Sequence, residues 1–267
     1  MKRNKIILII FLVIAATLTI VFDLPQLVLV ADETKNILLK ELFSRLILAA
    51  FIIYLVIYGK FASLKPNFKN MLRNLLWMIP CFLVALANFP FSALINGTAI
   101  VERKDLIHLL IINCVLIAII EDFFFQGILR SIVEDYFKNT KHRLFFVILI
   151  VSTIFALSHL LNLLSGASIG ATILQVGYTF LMGGLFSTIK TKTNDIWLIV
   201  LIHTIFDVGG TLINKLGSGV FQDRLFWIFT IIFGIIAGIY ILINIFVLDK
   251  KDVEEMKKEE TSKESVY

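Results

Sequence analysis

The chain has 267 residues, of which 58% are hydrophobic, and a mean hydropathy of +0.91; soluble domains run near 45–50% apolar, so a soluble fold is excluded. The net charge of +5 comes from 25 basic and 20 acidic residues, and in so apolar a chain this surplus marks cytoplasmic loops rather than nucleic-acid binding. Cys81 and Cys114 both lie in apolar runs, which argues against a disulfide framework or a cysteine metal motif.

In chain order, eight apolar runs are long enough to cross a hydrocarbon core about 30 Å thick. They cover approximately 5–22, 38–59, 74–95, 106–130, 144–164, 169–189, 194–213 and 226–248. The first follows Lys2, Arg3 and Lys5. It is long for a signal-peptide core and is followed by Asp23-Leu24-Pro25 rather than a small-residue cleavage site, so it reads as an uncleaved helix. The second is mixed at its start (Lys40, Glu41, Arg45), which places its apolar core from about Leu46. Residues 60–73 alternate basic and apolar positions, the pattern of a short interfacial helix, interrupted by Pro66. The sixth run carries Gly170, Gly177, Gly183 and Gly184, small residues that let helices approach closely.

Basic residues alternate between loops. Lys60, Lys65, Lys69 and Arg73 follow span two, Lys138, Lys141 and Arg143 follow span four, and Lys190 and Lys192 follow span six. The intervening loops are poorer in basic residues. The positive-inside rule therefore puts both termini in the cytoplasm, as an even number of spans requires. The expected fold is all-α, a polytopic bundle in a membrane, the bacterial plasma membrane being the natural setting. Its parts are helices one to three (1–105), a core of helices four to seven (106–213), a last helix (214–248) and a disordered charged tail (249–267).

Polar residues inside the spans are few, and intramembrane ionisable groups are functional candidates by default because they are expensive to bury. Glu121 and Asp122 sit side by side in span four, with Gln126 following. His159 lies in span five, Gln175 in span six, and His203 and Asp207 in span seven. His203 and Asp207 are four apart and share a helix face. At 1.5 Å per residue, the carboxylate pair and His203 come to similar depths, about 10–15 Å below the cytoplasmic face, with His159 somewhat deeper. Two carboxylates, two histidines and a third carboxylate in one pocket suit water activation. A carboxylate acts as general base, and histidines stabilise an oxyanion or protonate a leaving amine. A divalent metal such as zinc held by His and carboxylate is the alternative, although His-Glu-x-x-His is absent.

The motifs Glu-Asp-x-x-x-Gln-Gly at 121–127, Phe-x-x-x-His at 155–159 and His-x-x-x-Asp at 203–207 resemble those of the CPBP intramembrane proteases. That family includes CAAX prenyl endopeptidases and bacteriocin-processing and self-immunity proteins. Gln175, Gly183, Gly184 and the Lys190–Asn194 turn resemble the segment between its last two motifs. The resemblance implies Glu121 as water-activating base, Asp122 in the place of a second Glu, His159 and His203 as the groups that stabilise the oxyanion and orient water, and Asp207 as the group that orients His203 or water. It implies a glutamate-dependent, metal-free peptidase acting near the cytoplasmic face, with zinc as the older view of the family. The implied substrate is a peptide or lipid-modified protein in contact with membrane lipids. The sequence departs from the pattern at Asp122 and at Gln126, where the family has Glu and Arg; Arg130 is the nearest substitute. Two other functions compete: a non-catalytic immunity-type protein of the same fold, and a proton-coupled transporter.

Overall fold

A computed structural model describes residues 13–14, 17, 21–22, 26–67, 69–164 and 166–264. The first predicted span, 5–22, therefore falls almost wholly outside the described residues. The rest is helical: α1 Glu33–Gly59, α2 Met71–Trp77, α3 Ile79–Ala87, α4 Phe91–Asn96, α5 Ile107–Asp122, α6 Arg130–Tyr136, α7 Arg143–Ser158, α8 Ile169–Thr193, α9 Trp197–Leu216 and α10 Arg224–Glu264. Among the described residues, seven helical segments are long and apolar enough to cross a membrane. They correspond to the seven remaining predicted spans.

Local chemistry sets the boundaries. The Asp32 carboxylate accepts from the Lys35 amide and starts α1, and Ser168 does the same for α8 through the Ala171 amide. α1 and α8 end on Lys60 and Asn194 in the left-handed conformation. The third predicted span, 74–95, is not one helix: Pro80 begins α3 and Pro90 begins α4, because proline removes a donor that a helix interior needs. Two short strands, β1 Ala99–Val101 and β2 Gly217–Gly219, form an antiparallel ribbon that ties the start of α5 to the end of α9. At Gly219, φ is +100° and a Cβ would fall 2.2 Å from the Thr98 carbonyl, so only glycine fits there.

The ribbon marks one end of the bundle. Nearby, Arg103 binds Asp32 at 3.0 Å, and its guanidinium holds the Asp32 carboxyl below the usual range. The opposite, basic end carries Lys60, Lys65, Lys138, Lys141 and Lys192. α5 lies centrally, packed against α1 and α9, while α7 packs along α8. The α7–α8 contact is close at Gly183, where a Cβ would stand 2.9 Å from the Ser152 Cα.

Three expectations need correction. Of residues 60–73, read as a short interfacial helix, 61–67 form a loop interrupted by Pro66, and helix begins only at Met71. The loop is pinned instead, the Asn67 amide donating to Asp195 at 2.6 Å and the Trp197 indole to the Leu64 carbonyl at 2.8 Å. The tail expected to be disordered from 249 continues α10 to Glu264. Its Lys and Glu residues are good helix formers, and Asp249 and Asp252 pair with His142 and Arg143 at the start of α7. Span four does not stop near 130. α5, a π-helical turn at Phe123–Leu129 and α6 run on continuously to Tyr136.

Candidate active site

The Glu121-Asp122 pair sits where α5 passes into the π turn. A π turn adds a residue to the helical repeat and re-aims the side chains around it. Its side chains are held firmly. Phe123 is fully buried with its ring edge-on to Trp197, 5.2 Å between centroids. Phe125 meets Phe155 at 4.9 Å. Gln126 is buried and accepts from the Ser187 hydroxyl at 3.0 Å.

Arg130 is also buried, which a loop-type topology signal would not be. It donates to the Ser187 carbonyl at 2.9 Å and the Thr191 hydroxyl at 2.7 Å, and pairs with Glu134 at 2.7 Å. Gln126 and Arg130 thus both bind α8 at Ser187. The cation stands one step beyond the motif position and fastens the turn to α8.

His203 lies at the centre of the site. Its Nδ1 is 3.2 Å from Asp122 Oδ1, and its Nε2 is 3.7 Å from Glu121 and 3.6 Å from Asp207. A carboxylate oxygen only accepts, so the Asp122 contact fixes a proton on Nδ1 and turns Nε2 toward the other two carboxylates. Those two contacts are longer than hydrogen bonds and leave room for a reacting atom. The adjacent carboxylates have opposite surroundings. The Asp122 side chain is 2% exposed and that of Glu121 is 24% exposed. Asp122 stands behind His203, and one of its oxygens has no hydrogen-bond partner among the described residues. Glu121 faces a cavity of about 300 Å³.

His159 lines the same cavity. Its Nδ1 lies 2.9 Å from the Phe155 carbonyl; a carbonyl accepts, so the proton is again on Nδ1 and Nε2 is the unprotonated, accepting nitrogen. Phe155 lies between the histidines, its ring centroid 5.1 Å from His159 and 6.1 Å from His203. The two legs together, about 11 Å, bound the distance between the imidazoles. All five predicted site residues therefore gather around one region, four on the cavity wall and Asp122 behind it.

Sequence reasoning missed several cavity residues. Glu41 and Arg45 from α1 and Lys215 from α9 line it. Lys215 pairs with Glu41 at 2.5 Å, and Arg45 reaches Glu41 at 3.5 Å and the Asn113 carbonyl at 3.4 Å. The signal is present in the sequence as opposite charges four apart inside a span, a pattern that equally fits a ragged span start. The cavity also draws on α1, so the site is not confined to 106–213. Gln175 accepts from Asn162 at 2.8 Å and lines the cavity too.

Among the described residues, no group of three His, Cys, Asp or Glu side chains is arranged to hold a metal ion. No step below is routed through a metal.

With this geometry in view, residues 103–209 match the family model described as type II CAAX prenyl endopeptidase Rce1-like. The match covers all three motifs, and it agrees with the CPBP and CAAX protease resemblance of the sequence. No curated protein and no solved structure matches the chain.

Proposed function

We propose that the protein is an intramembrane endopeptidase that hydrolyses a peptide bond with water activated by Glu121. The observation that carries this reading is His203, held by buried Asp122 on one nitrogen and facing Glu121 and Asp207 across a 300 Å³ cavity with the other. The family match at 103–209 supports a peptidase at the level of class.

In this mechanism Glu121 takes a proton from a water held between its carboxylate and His159 Nε2, which as the free nitrogen accepts. The hydroxide attacks the scissile carbonyl carbon. His203, as the imidazolium with its Nδ1–H on Asp122, donates from Nε2–H to the oxyanion, and Asp122 and Asp207 balance its charge and hold the ring in place. Glu121 then passes its proton to the leaving amine as the C–N bond breaks. The base, the oxyanion donor and the orienting carboxylates are all supplied by this chain.

The test is cleavage of a panel of membrane-active and lipid-modified peptides by the reconstituted protein, read by mass spectrometry. Wild-type protein cleaves, His203→Ala does not, and a chelator leaves the rate unchanged. Activity lost with the chelator and restored by zinc would overturn the metal-free mechanism. A cellular phenotype that survives both Glu121→Ala and His203→Ala at normal protein level would favour the immunity-type reading.

A further inference from the structure

The walls of the cavity lie on one side of the Glu121–His203 cluster. Beyond Glu121, α5 contributes Ile117, Cys114 and Leu110, successive turns toward the ribbon. Beyond His203, α9 contributes Asp207, Thr211 and Lys215 in the same direction. At 1.5 Å per residue each wall runs roughly 17 Å from the cluster. The far end is reached by Glu41 and Arg45 of α1 and by Lys215, whose side chains are 23%, 24% and 36% exposed.

Toward the basic end the same helices are solid. Asp122, Phe123, Gln126 and Ile128 follow Glu121, and Ile199 and Ile202 precede His203; all are buried. Among the described residues of these two helices, none in that direction lines the cavity. The ends are also distinct in charge. The Lys-rich loops gather opposite the ribbon, and lysine and arginine in short loops stay in the cytoplasm.

We infer that the cavity is entered from the ribbon end, on the extracytoplasmic side of the membrane, past the Glu41–Lys215 pair. The substrate class follows. The peptide to be cut is presented outside, as a translocated peptide or the outer segment of a membrane protein, and not as the C-terminus of a cytosolic protein. The path is a property of the cavity; the word substrate rests on the peptidase reading above.

Thiol accessibility tests the path without needing activity. In a background with Cys81→Ala and Cys114→Ala, single cysteines are placed at Thr211→Cys and Lys215→Cys in the cavity. Lys65→Cys marks the basic end. Intact cells are treated with a charged, membrane-impermeant thiol reagent, and denatured protein gives the full-labelling reference. The expected result is labelling of both cavity cysteines from outside and of the Lys65→Cys protein only after permeabilisation. Cavity cysteines that react only after permeabilisation, or only on denaturation, would overturn the inference. So would labelling of the Lys65→Cys protein from outside, since the sidedness would then be reversed. A protein that labels as expected but cleaves no peptide would leave the path standing and sink the peptidase reading instead.

Discussion

Glu121 and Asp122 are neighbours in sequence and are separated by His203 in function. Asp122 is buried behind the imidazole and Glu121 opens on the cavity. Asp122→Asn keeps the volume of the side chain but removes the carboxylate charge that balances the His203 imidazolium, leaving a neutral imidazole that is a weaker oxyanion donor. It is expected to lower kcat by a factor of about 10² or more with KM little changed, read by steady-state kinetics; a changed KM at constant kcat would contradict the assigned role. Arg130→Ala leaves Gln126 as the remaining tie to Ser187 and removes a buried charge with three partners. The expected loss is about 2–4 kcal/mol of stability, visible as a lower Tm in detergent; an unchanged Tm would show that the turn does not depend on this cation. At this scale the motif residues were legible, because ionisable groups in apolar runs are rare and can be singled out. Their partners were not. Nothing in the sequence says that Asp122 turns inward or that Glu41 and Lys215 meet, since those contacts depend on helices far apart in the chain.

The elements that position the site are the π turn and the α7–α8 contact. Deleting Phe124 would return the π turn to the α-helical repeat and re-aim Phe123, Phe125 and Gln126, which hold it against Trp197, Phe155 and Ser187. Loss of cleavage with the protein still inserted in the membrane is the expected outcome; retained activity would mean that the turn is incidental. Gly183→Val places branched carbons against the Ser152 backbone, 2.9 Å from where a Cβ would sit. It is expected to destabilise by about 1–3 kcal/mol, measured by thermal unfolding, whereas Gly177→Ala, with open space around it, should be nearly neutral. Span positions were readable because apolar length is a strong signal. The π turn was not, because one extra residue leaves the hydropathy profile almost unchanged. The break of the third span at Pro80 and Pro90 was visible in the residues and was outweighed by their apolar surroundings.

Over the whole molecule, the two ends of the bundle have different work. The basic end is packed and cross-tied, with α10 running out past its apolar stretch to pair Asp249 and Asp252 with His142 and Arg143. Truncation after Leu248 removes both pairs. It should lower Tm by a few degrees, as expected for roughly 1–2 kcal/mol, while leaving peptide cleavage in place; lost cleavage at a normal Tm would give the tail a part in the reaction. The ribbon end carries the mouth of the cavity. The sequence placed the site near the cytoplasmic face by counting residues from span ends. Depth along a helix does not say which way a cavity opens; that depends on which end the neighbouring side chains fill. The most direct measurement is the rate at which protein in proteoliposomes cleaves a peptide it accepts, wild type against Glu121→Gln. The amide is isosteric and cannot take the proton from water, so the account predicts a loss of at least about 10² in kcat/KM at unchanged Tm. Equal rates for the two proteins would contradict it.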